Sequence, residues 1–499
     1  MVAPIPRGLK LVVRCGVSAL VALTATTGSA AASQADYAKA YALGVQAYTY
    51  GLPLVATDKT FRSMTSINVS NGTGYGPVNQ FNNRRKLTNP TSKAVVAPGS
   101  NGLSSIAWLD LRRGPQVLHV PRVKGHFFVL ALEDPYTEDF RNLGSVHKTK
   151  PGYYVIAGPG QHKVRIPAGT HRIDVDYTRI WIIGSTQLKG TNDVANVNRI
   201  QDGYTLTPLT KFGTDYHPKR PAHPDTTIKN WPLPSGLHFF DVVGHLLKQF
   251  PPPAGDQAEL RRFAAVGIGP GMWPSGNPRL NRDTLRGLKA AAAAGPAQIH
   301  DDAKALYVAG FAAHNGYLLG GFGHYGTDYN LRGVIAQIGL GAVTSDQTIF
   351  ALSLNDHSLL PLSGSTNYVL HMPTAPLVNE GWSLTVYDTH GFLVPNPIHR
   401  YEISSGVPLT HNADGSVDIY LQSSRPTNPR QAQNWLPTAS GAGFELIWRL
   451  IAPKPNTITG ILAGSGWEPP AITAAPAASA ARREQMPERW QGAIPRRSA

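Results

Sequence analysis

Two blocks of short strand-forming segments bracket a long helical stretch, and that order leaves few architectures open. From about Thr88 to Leu209 the segments "QVLHVP", "HFFVLALE", "YYVIAG", "HRIDVD" and "RIWIIGST" are brief and rich in β-branched or aromatic residues. Gly, Pro and Asn turns part them. In "HRIDVD", Ile173 and Val175 alternate with Arg172, Asp174 and Asp176, so one face is inward. "RIWIIG" is continuously apolar and is expected to be buried on both faces. From about Ala351 to Pro453 strands return in "TNYVLHM", "WSLTVYD", "GFLV", "SVDIYLQ" and "FELIWRLIAP". Between the blocks, from about His238 to Ala342, apolar positions recur at helical spacing in segments such as "HFFDVVGHLLKQF" and "AQIHDDAKALYVAGFAAH". A further helix is expected over Tyr37 to Tyr50, ended by Gly51 and Pro53. The fold class is therefore mainly β with α.

Charge and cysteine usage narrow the setting. Arg7, Lys10 and Arg14 precede the apolar run Cys15 to Leu23 and the small residues of "TATTGSAAAS", which reads as a signal peptide over 1–32 with cleavage near Ala32. A retained N-terminal anchor is the alternative. Cys15, the single cysteine, falls inside that segment, so the mature chain has no disulfide and no thiolate chemistry. The formal net charge is +15. Setting aside the basic excess of the N-terminal segment and of the Ala/Pro/Arg-rich stretch 471–499 leaves about +9 on the body, a value that favours anionic surfaces. Basic runs with interleaved aromatics are absent, which argues against nucleic acid. Residues 471–499 lack periodicity and are expected to be a disordered tail.

Signatures of nucleophile elbows, zincin helices, Walker loops and EF-hands are missing, and no cofactor or metal site is expected. "GFGHYG", Gly321 to Gly326, fits the dinucleotide pattern with Asp346 downstream. The segment before it is helical rather than a strand, so its glycines are expected to shape a turn. His119 and His126 lack a third ligand. "WLDLRRGP" and "LEDPYTEDF" set acids beside aromatics at strand edges. Asp110, Asp134 and Asp139 there serve either as turn caps or, with Asp134, in acid/base work. Trp108 and Tyr136 beside them could stack on a sugar ring or lipid chain.

"GWSLTVYDTHGFLVPNPIHRYEI", Gly381 to Ile403, reads as a hairpin. Trp382, Leu384 and Val386 form a core face, "DTHG" places Asp388 first and Gly391 last in a turn, and Pro395 and Pro397 stop the pairing. Tyr387, Asn396, His399 and Arg400 are left over as candidate ligand contacts. "NWLP", Asn434 to Pro437, offers Trp435 in a similar rigid turn.

The ordered matches "AWLDLRRGPQVLHVP", "DPYTEDFRNLGS" and "IQDGYTLTPL", followed by "GHYGTDYNLRGVIAQIGLGA", "GWSLTVYDTHGFLVPNPIHRY", "NWLP" and "WEPP", resemble a paired bacterial family. Its halves are known as domains of unknown function 1254 (N-terminal) and 1214 (C-terminal). The resemblance runs from about Tyr41 to Pro470. It implies two β-sandwich (jelly-roll-like) domains joined by a helical segment. The expected division is 37–237, 238–342 and 343–470. One departure stands out: where the N-terminal half usually carries an acid, this chain reads "SNGLSSIAWLDL", leaving Asn101, Ser104 and Ser105.

Three functions remain open. The first is an exported protein that binds a glycan, lipid-like or other small ligand in a cleft between the β domains. The second is an exported hydrolase or lyase using Asp134 and Asp388, with Arg400 on an anionic group. The third is a structural oligomer subunit of the envelope, as a homo-oligomer.

Overall fold

The computed structural model describes residues 28–93, 97–219, 221–320 and 322–475. The proposed signal segment through residue 27, with Cys15, and the tail beyond residue 475 lie outside the described residues. Each half of the chain builds a pair of sheets. In the N-terminal half one sheet orders Asn82–Asn83, Gly102–Asp110, Arg179–Gln187, Phe128–Glu133 and Asp139–Gly144. Its partner orders Thr170–Asp174, Gly152–Ala157, Gln116–Val120 and Thr205–Pro208. Leu109, Leu130 and Leu132 of the first meet Leu118 and Ile156 of the second in one core. The continuously apolar "RIWIIG" is the middle strand of its sheet, and Ile173 and Val175 are buried as their alternation requires.

The C-terminal half repeats the plan. One sheet orders Leu318–Gly320, Thr348–Ser353, Phe444–Pro453, Val378–Asp388 and Glu402–Ser404. The other orders Trp435–Pro437, Val417–Gln422, Tyr368–Met372 and Ile472–Ala474. Leu384 and Trp448 of the first pack with Leu370 and Ile419 of the second. The sheets are sandwich-like, and none closes into a barrel among the described residues. Ile472–Ala474 pairs with Tyr368–Leu370, so order extends beyond the expected start of the tail. The "GFLV" segment contributes only the bridge Tyr387 to Leu393, because Pro395 and Pro397 leave no room for a return strand.

Helices form a layer that shares the N-terminal core: Tyr48, Phe239, Phe240 and Val243 join Leu118 and Leu130 in it. The first helix, Gly28–Met64, continues through Gly51 and Pro53, where the sequence suggested an end. Packing explains the difference. Leu52, Leu54 and Val55 are buried, and a Cβ at Gly51 would lie 2.5 Å from Val243, so tertiary contact outweighs the lost proline hydrogen bond. That helix runs parallel to Arg282–Ala313. Tyr37 meets Gly287, Gly44 meets Ala291 and Tyr48 meets Gly295, each at separations only glycine permits. No helix among the described residues is long and apolar enough to cross a membrane.

Candidate functional site

The turn between strands Phe128–Glu133 and Asp139–Gly144 is "DPYTED". Asp134 Oδ1 accepts hydrogen bonds from the amides of Tyr136 (2.7 Å) and Glu138 (3.0 Å), which closes the loop. Thr137 adopts a left-handed φ of 68°, uncommon for a β-branched residue. Tyr136 is fully buried and its hydroxyl donates to the Phe250 carbonyl.

This turn docks on "GHYG". Glu138 accepts from the amides of Tyr325 (3.1 Å) and Gly326 (3.0 Å), and the Asp139 amide donates to the Gly323 carbonyl. Asp139 Oδ2 accepts from Asn142 Nδ2 and from the Thr344 amide. The glycine motif that imitates a dinucleotide fingerprint follows the short strand Leu318–Gly320 rather than the expected helix, and its Tyr325 and Gly326 N–H groups receive one carboxylate, that of Glu138.

Behind the turn lies Arg332, only 1% exposed. Its Nη1 is 3.8 Å from Glu138 and its Nη2 is 3.7 Å from Asp256. The rings of Tyr50, Tyr136 and Tyr329 surround the guanidinium with centroids at 5.5, 5.5 and 5.2 Å. Asp256 is held by the hydroxyls of Tyr50 (2.8 Å) and Tyr329 (2.9 Å).

Carboxylates outnumber the cation facing them, and burial resolves the imbalance by protonation. Glu133 is fully buried, and neither carboxyl oxygen has a hydrogen-bond partner among the described residues. Burial, reinforced by Asp139, Asp134 and Glu138, pushes its pKa well up. Burial also raises Asp134 to about 7 against the two amides that hold its charge. Glu138 and Asp139 are raised too, again mainly by burial. Glu133 stands opposite Asp139 in the strand pairing, which puts the two side chains on one face.

Asp139 opens outward into a cleft of about 360 Å³. The N-terminal half supplies Asp139, Asn142 and His147, and the segment leading into the C-terminal half supplies His324, Thr344 and Asp346. His147 Nε2 lies 3.1 Å from Asp346. Tyr154 and Phe140 are the aromatic lining. No group of three or more potential metal ligands occurs among the described residues.

The sequence candidates separate into three fates. Trp108 is buried, stacked on Trp181 at 4.6 Å with its Nε1 donating to Met64 Sδ. Tyr387 is buried as well; its hydroxyl donates to the Pro98 carbonyl and accepts from Arg449. With Tyr136 these three are core side chains. Asp134 and Asp388 each cap their own turn, Asp388 Oδ1 accepting from the amides of His390 and Phe392, and no hydrogen bond or ion pair joins the two among the described residues. Asn396, His399, Arg400 and Trp435 do come together. Asn396 holds the Arg400 backbone from both sides, through Oδ1 and Nδ2, and His399 takes a left-handed φ of 51° and touches the Tyr401 hydroxyl. Arg400 and Trp435 line a second cleft, of about 310 Å³.

Glu133, Glu138, Asp256, His324 and Arg332 were not singled out by sequence reasoning. Both motifs that carry the site, "DPYTEDF" and "GHYGTDYNLRG", are conspicuous in the sequence, but nothing local says that they touch. His119 and His126 are satisfied singly, by the Gly203 carbonyl and by Asp193.

Residues 78–208 match the family model described as protein of unknown function (DUF1254), and residues 347–455 match that of protein of unknown function (DUF1214). No curated protein matches the chain. Among solved structures, the VPA0106 protein from Vibrio parahaemolyticus aligns with a TM-score of 0.63 at 20% identity, covering 87% of this chain and all of that one. This likeness supports the fold alone. A putative uncharacterized protein from Burkholderia cenocepacia aligns at a TM-score of 0.38 and 12% identity, covering 90% of this chain and 97% of that one.

Proposed function

We propose, for a chain that pairs a DUF1254 region with a DUF1214 region, that its function is to bind a small polar ligand in the cleft between its two halves. The observation that carries this reading is the origin of the lining. Asp139, Asn142 and His147 come from one half, and His324, Thr344 and Asp346 from the segment entering the other. Such a mixture of donors and acceptors suits a hydroxyl-rich ligand such as a glycan fragment better than a lipid-like one. The chain is also proposed to work outside the cytoplasm, on the strength of the basic and apolar segment from Arg7 to Leu23.

A second reading is favoured by one feature. Glu133 keeps a carboxyl with no hydrogen-bond partner among the described residues directly behind Asp139, and a proton shared by two such groups is the usual equipment of general acid/base catalysis. In that case hydrolytic or lyase chemistry centres on Asp139, while Asp134 and Asp388 remain turn caps.

Calorimetric titration of the full chain with a panel of oligosaccharides, alkyl glycosides and fatty acids tests the first reading. His324→Ala and His147→Ala change groups that are not buried and leave the fold intact. A sugar that binds the native chain and binds either variant roughly tenfold more weakly supports the reading. Binding unchanged in both variants sinks it. Mass spectrometry of the same mixtures decides the second reading: turnover lost in Asp139→Asn is required, and an unaltered ligand rejects it.

A further inference from the structure

The second cleft carries an independent site, because its basic groups are left over by the fold. Arg400 arrives there on the loop "NPIHR". Asn396 fixes both backbone polar groups of Arg400, accepting from its amide at 3.0 Å and donating to its carbonyl at 2.9 Å. One end of the guanidinium is then spoken for: Nη1 donates to the carbonyls of Gln433 (3.1 Å) and Trp435 (2.9 Å). Nε and Nη2 have no hydrogen-bond partner among the described residues, and together they form the edge that grips a carboxylate or phosphate with two parallel bonds.

Arg425 lines the same cleft, is exposed, and makes no ion pair or hydrogen bond among the described residues. Burial and the nearby Arg425 charge lower the Arg400 pKa, so two like charges face one space with no acid between them. Folding gains nothing from that repulsion, and a bound oxyanion would remove it. Apart from Gln433, the rest of the lining is apolar: Ile398 is 45% exposed, and Pro429, Ala432 and the Trp435 ring flank it. Trp435 is held in place by donation from Nε1 to the Gln422 carbonyl.

We propose that this cleft binds a small organic oxyanion, its carboxylate or phosphate between Arg400 and Arg425 and its short apolar group against Ile398, Pro429 and Ala432. The site is separate from the polar cleft between the halves, and its success or failure does not depend on that one. A carboxylate and a phosphate share the recognising chemistry, and the test compares them.

Calorimetric titration of the full chain at neutral pH with hexanoate, hexyl phosphate, inorganic phosphate and the neutral hexanamide supplies the measurement. Saturable binding of hexanoate or hexyl phosphate is expected, with none for hexanamide. Arg425→Ala is expected to weaken it roughly tenfold while the melting temperature stays unchanged. Arg400→Lys keeps the charge but removes the two-pronged edge and is expected to weaken it as well. The stronger of the two organic anions identifies the headgroup. Inorganic phosphate binding as tightly as hexyl phosphate overturns the apolar part of the proposal. Absence of saturable binding by either organic anion, or equal affinity in Arg425→Ala, overturns the whole.

Discussion

The loops "DPYTE" (134–138) and "NPIHR" (396–400) are built alike and end in opposite circumstances. Each opens on an Asx residue followed by proline, and the Asx oxygen accepts from the amide four residues on. Each places a non-glycine residue in the left-handed region three residues after the Asx: Thr137 at 68° and His399 at 51°. Each delivers a charge at the fifth position, Glu138 or Arg400. Asp388 and Gly391 repeat the same closure without the proline, as do Asp356 and Leu359. The loop is therefore a device of the fold, and its function lies in what the last residue meets. Glu138 meets backbone amides and a sealed arginine, so its charge is consumed by structure. Arg400 meets open space and a second arginine, so part of its hydrogen-bonding capacity remains for a ligand.

The sharpest way to break this contrast is to remove the sealed arginine. Arg332→Ala strands Asp256 and Glu138 beside a cavity ringed by Tyr50, Tyr136 and Tyr329. A loss of about 3–5 kcal/mol in chemical denaturation is expected, as for other broken buried pairs. A loss below about 1 kcal/mol, the level of a surface pair, would show that the cluster is not sealed.

Much of this contrast could be read from the sequence, and the unreadable part has a physical cause. Strand periodicity located Ile173, Val175 and the central "RIWIIG", and the turn grammar of "DTHG" located the role of Asp388. Side-chain chemistry alone misplaced Trp108 and Tyr387, because an aromatic beside an acid looks the same whether it faces a ligand or a core. The pairing of Glu138 with Gly326 spans 188 residues, and no local pattern encodes it. The loop that presents Arg400 was legible because it is bounded by prolines and closed locally by Asn396, whereas a ligand for Arg400 stands as a proposal.

Titration gives the next largest effect. Carboxyl groups whose folded pKa is raised hold protons that the unfolded chain, with carboxyls near 4, has already lost. Stability from this cluster is therefore fully present below about pH 4 and declines as pH rises through the folded values, past about 7 for Asp134. Glu133→Gln removes one such group. It is expected to raise the midpoint of denaturation at pH 8 by the equivalent of about 1–2 kcal/mol, with little change at pH 4. Equal shifts at both pH values would mean that folding does not raise the Glu133 pKa above its unfolded value.

Asp388→Ala tests the same closure on an open surface. Losing the bonds to His390 and Phe392 is expected to cost about 1 kcal/mol in chemical denaturation. A cost as large as that of Arg332→Ala would mean that the hairpin loop supports more than itself.

The smallest expected effect separates strain from function in the open loop. His399 pays for its left-handed backbone, and among the described residues its side chain returns only a hydrogen bond to the Tyr401 hydroxyl and an edge contact with the Tyr401 ring. Glycine adopts that conformation freely, so His399→Gly is expected to leave stability unchanged or raise it by about 0.5–1 kcal/mol. Hexyl phosphate affinity, by contrast, should be unchanged, because Asn396 rather than His399 positions Arg400. If His399→Gly stabilises the chain and weakens hexyl phosphate together, the strain at His399 is holding the arginine in place. The two loops would then differ in what fixes their charge as well as in what it meets.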